Sequence, residues 1–288
     1  MADTTTSDVT VARPTTADAG ADGQVPFYLP TGDEVALFRA AYEQRIPVLL
    51  KGPTGCGKTR FVEHMAWHIA RERGVAGPGL VTVTCHDDMT AADLVGRYLL
   101  ASDGTTWLDG PLTQAVRRGD ICYLDEVVEA RKDTTVILHA LTDHRRFLPI
   151  ERLGATIDAH PDFLLVISYN PGYQATAKDL KPSTRQRFMA IEFTYPDQEL
   201  ETAIVAHEAA IDAEVAKQLA FLGHQLRHLD DADIIEGPST RLLVYVGALI
   251  RRGVAPLRAC DVALVQAVSD DRSVQDAVRQ VARAVFAA

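Results

Sequence analysis

The chain contains one asparagine, Asn170, in 288 residues. It is followed by Pro171 and Gly172, so the N-K-x-D base-reading motif of GTPases is excluded. There are four cysteines, Cys56, Cys85, Cys122 and Cys260, far apart and with no C-x-x-C pair. In a chain this long that pattern reads as reduced, intracellular thiols. No apolar run reaches the 18 residues of a membrane span, and no signal-peptide core is present, so the expectation is a cytoplasmic protein. A basic stripe is also missing. The formal net charge is −10, which argues against a nucleic-acid groove as the main surface. No internal repeat interrupts the chain.

What remains is an ordinary globular composition, 47% hydrophobic, in a chain long enough for one large domain or two smaller ones. Residues 1–24, "MADTTTSDVTVARPTTADAGADGQ", hold almost nothing large and apolar and read as a disordered arm. From Val25 the texture is that of ordered protein. Five short apolar runs read as strands of a parallel sheet: Ile46 to Gly52, Leu80 to Cys85, Asp120 to Val127, Phe163 to Asn170 and Met189 to Phe193. Helical stretches lie between several of them; from Thr59 to Arg73, Phe61, Val62, Met65, Ala66 and Ile69 share one face. Two segments read as inserted hairpins, one turning at Asp103-Gly104 and one near Gly154. After Pro196 the strand pattern stops, and the rest has helical spacing, with Pro238 and Pro256 expected at helix starts. The reading is therefore an α/β core over 25–196 and an all-helical piece over 197–288.

Three strand ends carry chemistry. "GPTGCGKT", Gly52 to Thr59, matches G-x-x-x-x-G-K-[ST] at a strand-to-helix junction. Its glycines let backbone N–H groups cradle phosphates. Lys58 reaches the β- and γ-phosphates, and the Thr59 hydroxyl ligates Mg²⁺. The nucleotide-contacting set is taken as Gly52, Pro53, Thr54, Gly55, Cys56, Gly57, Lys58, Thr59 and Arg60. "ICYLDE" closes the third strand, at the same sheet edge. Asp125 is placed to hold Mg²⁺ and Glu126 to orient or deprotonate an attacking water. The other reading is an acid pair at a helix N-terminus. A second carboxylate favours hydrolysis over transfer to a small-molecule hydroxyl. Asn170, at the end of the fourth strand, can hold that water through its amide; its other reading is a turn-former before Pro-Gly.

These parts in this order resemble the AAA+ ATPases. The segments "LKGPTGCGKTRFVEHMAW", "TAADLVGRYLL", "DGPLTQAVRRGDICYLDEVVEARKDTT", "LVISYNPGYQ", "KPSTRQRF" and "STRLLVY" are similar to the MoxR group, in its CbbQ/NorQ branch. The likeness runs from about Val25 to the C-terminus. It implies a P-loop core with a five-stranded parallel sheet and two β-hairpin inserts lining a central pore. It also implies a helical lid that contributes Arg241 to the nucleotide of its own subunit. ATP and Mg²⁺ are the implied cofactors and a ring, a hexamer, the implied assembly. A von Willebrand factor A-domain partner would recruit the client. Nitric oxide reductase is favoured as that client, with rubisco as the alternative.

"KPSTRQRF" concentrates cations in an acidic chain. Arg187 is the expected arginine finger reaching a neighbour's nucleotide, with Arg185 second. The family's acid before that arginine is replaced here by Gln186. The bland reading is a cation near a helix C-terminus. Further function classes are a monomeric P-loop kinase and a nucleic-acid translocase, the latter disfavoured by the charge. His64 with His68 and His224 with His228 are spaced i, i+4, as zinc ligands can be, but neither has an evident third ligand, and packed or solvated histidines are expected. His144 has no assignable role. Cys56, inside the phosphate loop, is expected to make the protein sensitive to thiol alkylation.

Overall fold

The structure, a computed structural model, describes residues 24–101, 104–171, 180–229 and 236–286. The expected arm over 1–24 lies outside them, save Gln24, and so does Asp103 of the first hairpin turn.

Among the described residues, nine strands form three sheets. β1 (Val48–Lys51), β2 (Leu80–Thr84), β5 (Ile121–Asp125), β8 (Leu164–Tyr169) and β9 (Met189–Glu192) make the central one, all parallel, in the order β2-β5-β8-β1-β9. The fold class is α/β, as the alternation of strands and helices requires. β5 and β8 are buried at nearly every position, on both faces, which is why they read as unbroken apolar runs. One face is covered by α1 (Glu34–Glu43) and α2 (Lys58–Glu72). Phe38, Phe61, Val62 and Met65 pack there against Val48, Leu50, Tyr123 and Val166. The opposite face carries α3 (Ala91–Val95), α4 (Pro111–Arg118) and α5 (Lys132–Ile137), with Leu94, Leu112 and Val116 beside Leu49, Leu124 and Ile167. A short helix, α6 (Pro182–Arg185), precedes β9.

Both expected hairpins form outside the central sheet. β3 (Gly96–Ala101) pairs with β4 (Gly104–Asp109), and β6 (Phe147–Ile150) with β7 (Ala155–Asp158), turning through Gly154 at φ 58°. They touch: the Tyr98 hydroxyl donates to the Arg152 carbonyl at 3.3 Å, and Tyr98 stands edge-on to Trp107.

After β9 every described element is helical: α7 (Gln198–Ala209), α8 (Ala213–Arg227), α9 (Thr240–Arg251), α10 (Pro256–Cys260), α11 (Gln266–Val268) and α12 (Arg272–Phe286). They enclose their own core of Val205, Leu219, Leu222, Leu243, Val246 and Val278. Caps define the starts. Asp197 accepts from the Leu200 N–H and Ser239 from the Leu242 N–H. Pro256 is the first residue of α10, as expected. Pro238 is not the first residue of α9; Ser239 takes the cap, because its hydroxyl satisfies a free helical N–H and proline has no side-chain acceptor.

Candidate functional site

The C-terminal ends of β1, β5 and β8 are neighbours, since β8 lies between the other two. A cavity of about 620 Å³ opens at that edge. Residues Thr54 to Arg60, Asp125, Glu126, Asn170 and Arg241 all line it. Segments separated by as many as 187 positions in the chain thus meet at one point.

The phosphate loop follows β1. Gly52, Gly55 and Gly57 have φ of 154°, 67° and 102°, values that an L side chain rarely adopts. At Gly52 and Gly55 space forbids a side chain as well. A Cβ at Gly52 would come within 2.4 Å of the Phe193 carbonyl, and one at Gly55 within 2.6 Å of Ser239 Cβ. Lys58 Nζ donates to the carbonyls of Gly52 and Pro53, both at 2.8 Å, so the ammonium is held across the loop mouth. Gly52 and Pro53 join the site through those carbonyls rather than as lining residues. Arg60 reaches Glu63 at 3.3 Å and Glu208 at 3.5 Å, which ties α2 to α7.

A polar network fixes the acidic pair. The Tyr123 hydroxyl donates to Asp125 Oδ1 at 2.7 Å, and Ser168 Oγ donates to the same oxygen. Thr59 Oγ1 lies 3.4 Å from Asp125 Oδ2, so hydroxyl and carboxylate stand side by side, a donor pair suited to a hard divalent cation. β5 ends at Asp125. Glu126 comes next in a left-handed conformation, φ 55° and ψ 44°, with its N–H donated to Ser168 Oγ at 3.2 Å. That backbone is uncommon for a residue with a Cβ, and it turns Glu126 away from the path of the strand. Burial, then Asp125, then Glu129 raise the Glu126 carboxyl above its ordinary pKa, while Lys58 and Arg241 pull the other way.

Several residues at the site carry no sequence motif. Ser168 and Tyr123 look like core positions of strands. Phe27 and Tyr28, from the segment before α1, wall the cavity together with Ile204 and Tyr245 of the helical region. Phe27 stacks on His207 at 3.5 Å. Such an apolar, aromatic wall beside a phosphate loop suits a planar base. Glu236 also belongs to the site without a motif. Its Oε1 accepts from the Thr54 N–H at 2.7 Å and from Asn170 Nδ2 at 3.1 Å. Period and composition give no signal for such a long-range contact.

Arg185 and Arg187 are not among the residues lining this cavity. Arg185 ends α6 and donates to the Leu180 carbonyl at 3.4 Å. Arg187 lies between α6 and β9, close enough to His139 to lower that imidazole's pKa, though less than burial does.

Cys56 departs from expectation. It is 6% exposed, and burial raises its thiol pKa, so little reactive thiolate is available and sensitivity to alkylation does not follow from its place in the loop. The His64 and His68 rings lie 4.5 Å apart, and burial first and His64 second lower the pKa of His68. His224 and His228 lie 4.4 Å apart, with the His228 ring against the His224 carbonyl. Among the described residues no cluster of three or more candidate metal ligands forms around either pair. No described helix is long and apolar enough to cross a membrane.

Comparison with known proteins gives the same picture. Residues 47–188 match the AAA domain of the dynein-related subfamily, and residues 201–285 match the CbbQ/NirQ/NorQ C-terminal family. The chain is 57% identical to Protein CbbQ of Hydrogenophilus thermoluteolus over 91% of its length and 96% of that protein. It is 56% identical to Protein NorQ of Paracoccus denitrificans, over 91% of this chain and 94% of that one. It is 54% identical to the denitrification regulatory protein NirQ of Stutzerimonas stutzeri, over 90% of both. Among solved structures, a RuvB mutant of Thermotoga maritima superposes with a TM-score of 0.52 at 16% identity, covering 86% of this chain and 68% of that one, which speaks for the fold alone. With its phosphate loop, its strand-end carboxylates and its helical C-terminal region, this chain belongs to the CbbQ/NirQ/NorQ family of AAA+ ATPases.

Proposed function

We propose that the chain is the motor subunit of a ring, a hexamer, that hydrolyses Mg-ATP between neighbouring subunits and uses the cycle to remodel a client enzyme. One observation carries this reading. Lys58, Thr59, Asp125, Glu126, Asn170 and Arg241 surround one cavity, while Arg185 and Arg187, the cations expected to complete it, are not part of its lining. A neighbouring subunit would supply them.

In this reading residues 25–196 are the ATPase core and 197–288 the lid. The loop amides and Lys58 hold the phosphates of ATP. The Thr59 hydroxyl and the Asp125 carboxylate would hold Mg²⁺, whose charge offsets that of the phosphates. Glu126 accepts a proton from the water that attacks the terminal phosphorus, and Asn170 orients that water. Arg241 reports the nucleotide to the lid. Arg187, or Arg185 in its place, stabilises charge on the neighbour's transferring phosphoryl group.

Work on the client would pass through the two touching hairpins, with a von Willebrand factor A-domain protein as adaptor. Nitric oxide reductase maturation is the favoured client process, in keeping with the denitrification regulatory proteins among the relatives. Rubisco activation is the second reading, favoured by the 57% identity to Protein CbbQ. The test is affinity capture from host extract with Glu126→Gln in ATP, alongside light scattering with and without ATP. The expected result is an ATP-stabilised ring that retains an A-domain protein and one of the two enzymes. A strict monomer that phosphorylates a metabolite would replace this reading with a kinase.

A further inference from the structure

Every polar group of Thr54, the third residue of the phosphate loop, is engaged. Its N–H donates to Glu236 Oε1 at 2.7 Å, its carbonyl accepts from the Tyr195 hydroxyl at 3.1 Å, and its Oγ1 accepts from Asn170 Nδ2 at 3.4 Å. The Asn170 amide also donates to Glu236 Oε1, at 3.1 Å. Two donors, one from the loop and one from the end of β8, therefore converge on a single carboxylate oxygen. Converging N–H donors are how a phosphate loop holds an anion. Here the anion is the protein's own.

The position of these donors selects one phosphate. The amides nearest the start of α2, at Gly57, Lys58 and Thr59, serve the inner phosphates of a nucleotide. Thr54 and Asn170 lie at the β1 end of the loop, next to the Gly52 and Pro53 carbonyls that hold Lys58, the cation that reaches the β- and γ-phosphates. Glu236 is also coupled to the residues on its C-terminal side. Gly237 is packed so closely on Arg227 that a Cβ there would meet its Cγ at 2.7 Å. Ser239, the cap of α9, lies against Gly55. Arg241, in the first turn of α9, lines the cavity.

We propose that the Glu236 carboxylate competes with the terminal phosphate of a nucleoside triphosphate for the Thr54 N–H and the Asn170 amide. Glu236 is thereby a specificity-determining residue that sets the preference between triphosphate and diphosphate. Two anions cannot share those donors. A triphosphate expels the carboxylate, and the 236–241 strip moves with it. A diphosphate lacks the contested group and leaves the carboxylate in place. The inference rests on the nucleotide-binding reading of this site.

The experiment measures the affinities of the full chain for ATPγS and for ADP, by titration calorimetry with Mg²⁺, in the unmodified protein, Glu236→Gln and Glu236→Ala. The expected result is ATPγS binding tighter by about tenfold in both variants, the order of one charge-assisted hydrogen bond no longer contested, with ADP affinity unchanged within about twofold. An unchanged ATPγS-to-ADP ratio in both variants overturns the proposal. So does weaker ATPγS binding with ADP unchanged, since Glu236 would then assist the triphosphate rather than oppose it. Loss of both ligands in the variants alone also overturns it, by making Glu236 a structural prop. Failure of the unmodified protein to bind either nucleotide overturns the nucleotide-site reading itself, and the inference falls with it.

Discussion

Glu201 and Arg227 face each other through two parallel hydrogen bonds, each 2.8 Å, with side chains 1% and 9% exposed. The pair is the hub between the core and the helices after it. The Thr240 hydroxyl, in the first turn of α9, donates to Glu201 Oε1 at 2.6 Å. Arg227 Nε donates to the Pro238 carbonyl at 2.8 Å, and its guanidinium lies 3.9 Å over the Tyr195 ring. Removing one partner of a buried pair strands the other charge and costs about 3–5 kcal/mol. Arg227→Ala is therefore expected to lower stability in urea unfolding by about that amount. Arg227→Lys should recover only part of it, because an ammonium cannot make the two-armed contact. A loss below about 1 kcal/mol for Arg227→Ala, on the scale of an exposed pair, would contradict this account.

The absence of Arg185 and Arg187 from the cavity lining leads to a mixing experiment. On the proposed reading, Arg187→Ala binds ATP but turns it over slowly, by about 10³-fold or more if it loses a full arginine finger. Glu126→Gln is inactive for a different reason, having lost its proton acceptor. Mixed rings should regain activity, since some interfaces then carry an intact Glu126 beside an intact Arg187. Steady-state phosphate release at varied mixing ratios reads this out. No recovery at any ratio, in rings shown to be mixed, removes Arg187 from the finger role.

Asp120, just before β5, is 8% exposed, and burial raises its carboxyl pKa, against the pull of Arg118, Arg73 and His160. Folding a carboxyl with a raised pKa favours the protonated form. Its contribution is neutral below the unfolded value of ~3.9, turns unfavourable as pH climbs to the folded value, and stays so above it. Asp120→Asn is thus expected to raise the melting temperature at pH 7, with the gain shrinking as pH falls through that window. A gain that persists undiminished at pH 3 would show that the charge is not the cause.

All four cysteines are buried, and burial raises each thiol, Cys85 and Cys260 to about 12. A disulfide reagent at pH 8 is expected to find almost no reactive thiol in the folded protein and four after unfolding in guanidinium. Rapid modification of Cys56 in the folded protein, with loss of nucleotide binding, would show that burial does not protect it.

The amino-acid sequence by itself determines the parts that are local. The strands are legible because β5 and β8, covered on both faces, are hydrophobic at most positions. The phosphate loop is legible because Gly52, Gly55 and Gly57 answer to backbone angles that favour glycine, and Gly52 and Gly55 also to close contacts that only glycine meets. The sheet order, with β8 between β5 and β1, is what carries Asp125 and Asn170 to the loop, and strand-end polar residues signal such an edge. Pairings across the chain are decided only by the tertiary structure. Thr54 and Glu236 are 182 residues apart, and a glutamate in an ordinary charge pattern says nothing about which amide it will meet. Ser168 and Tyr123 read as core because their hydroxyls find partners only once β5 and β8 are side by side. Cys56 differs from its sequence-based expectation for the same reason: reactivity depends on burial, and burial depends on the segments that fold over the loop, not on the loop itself.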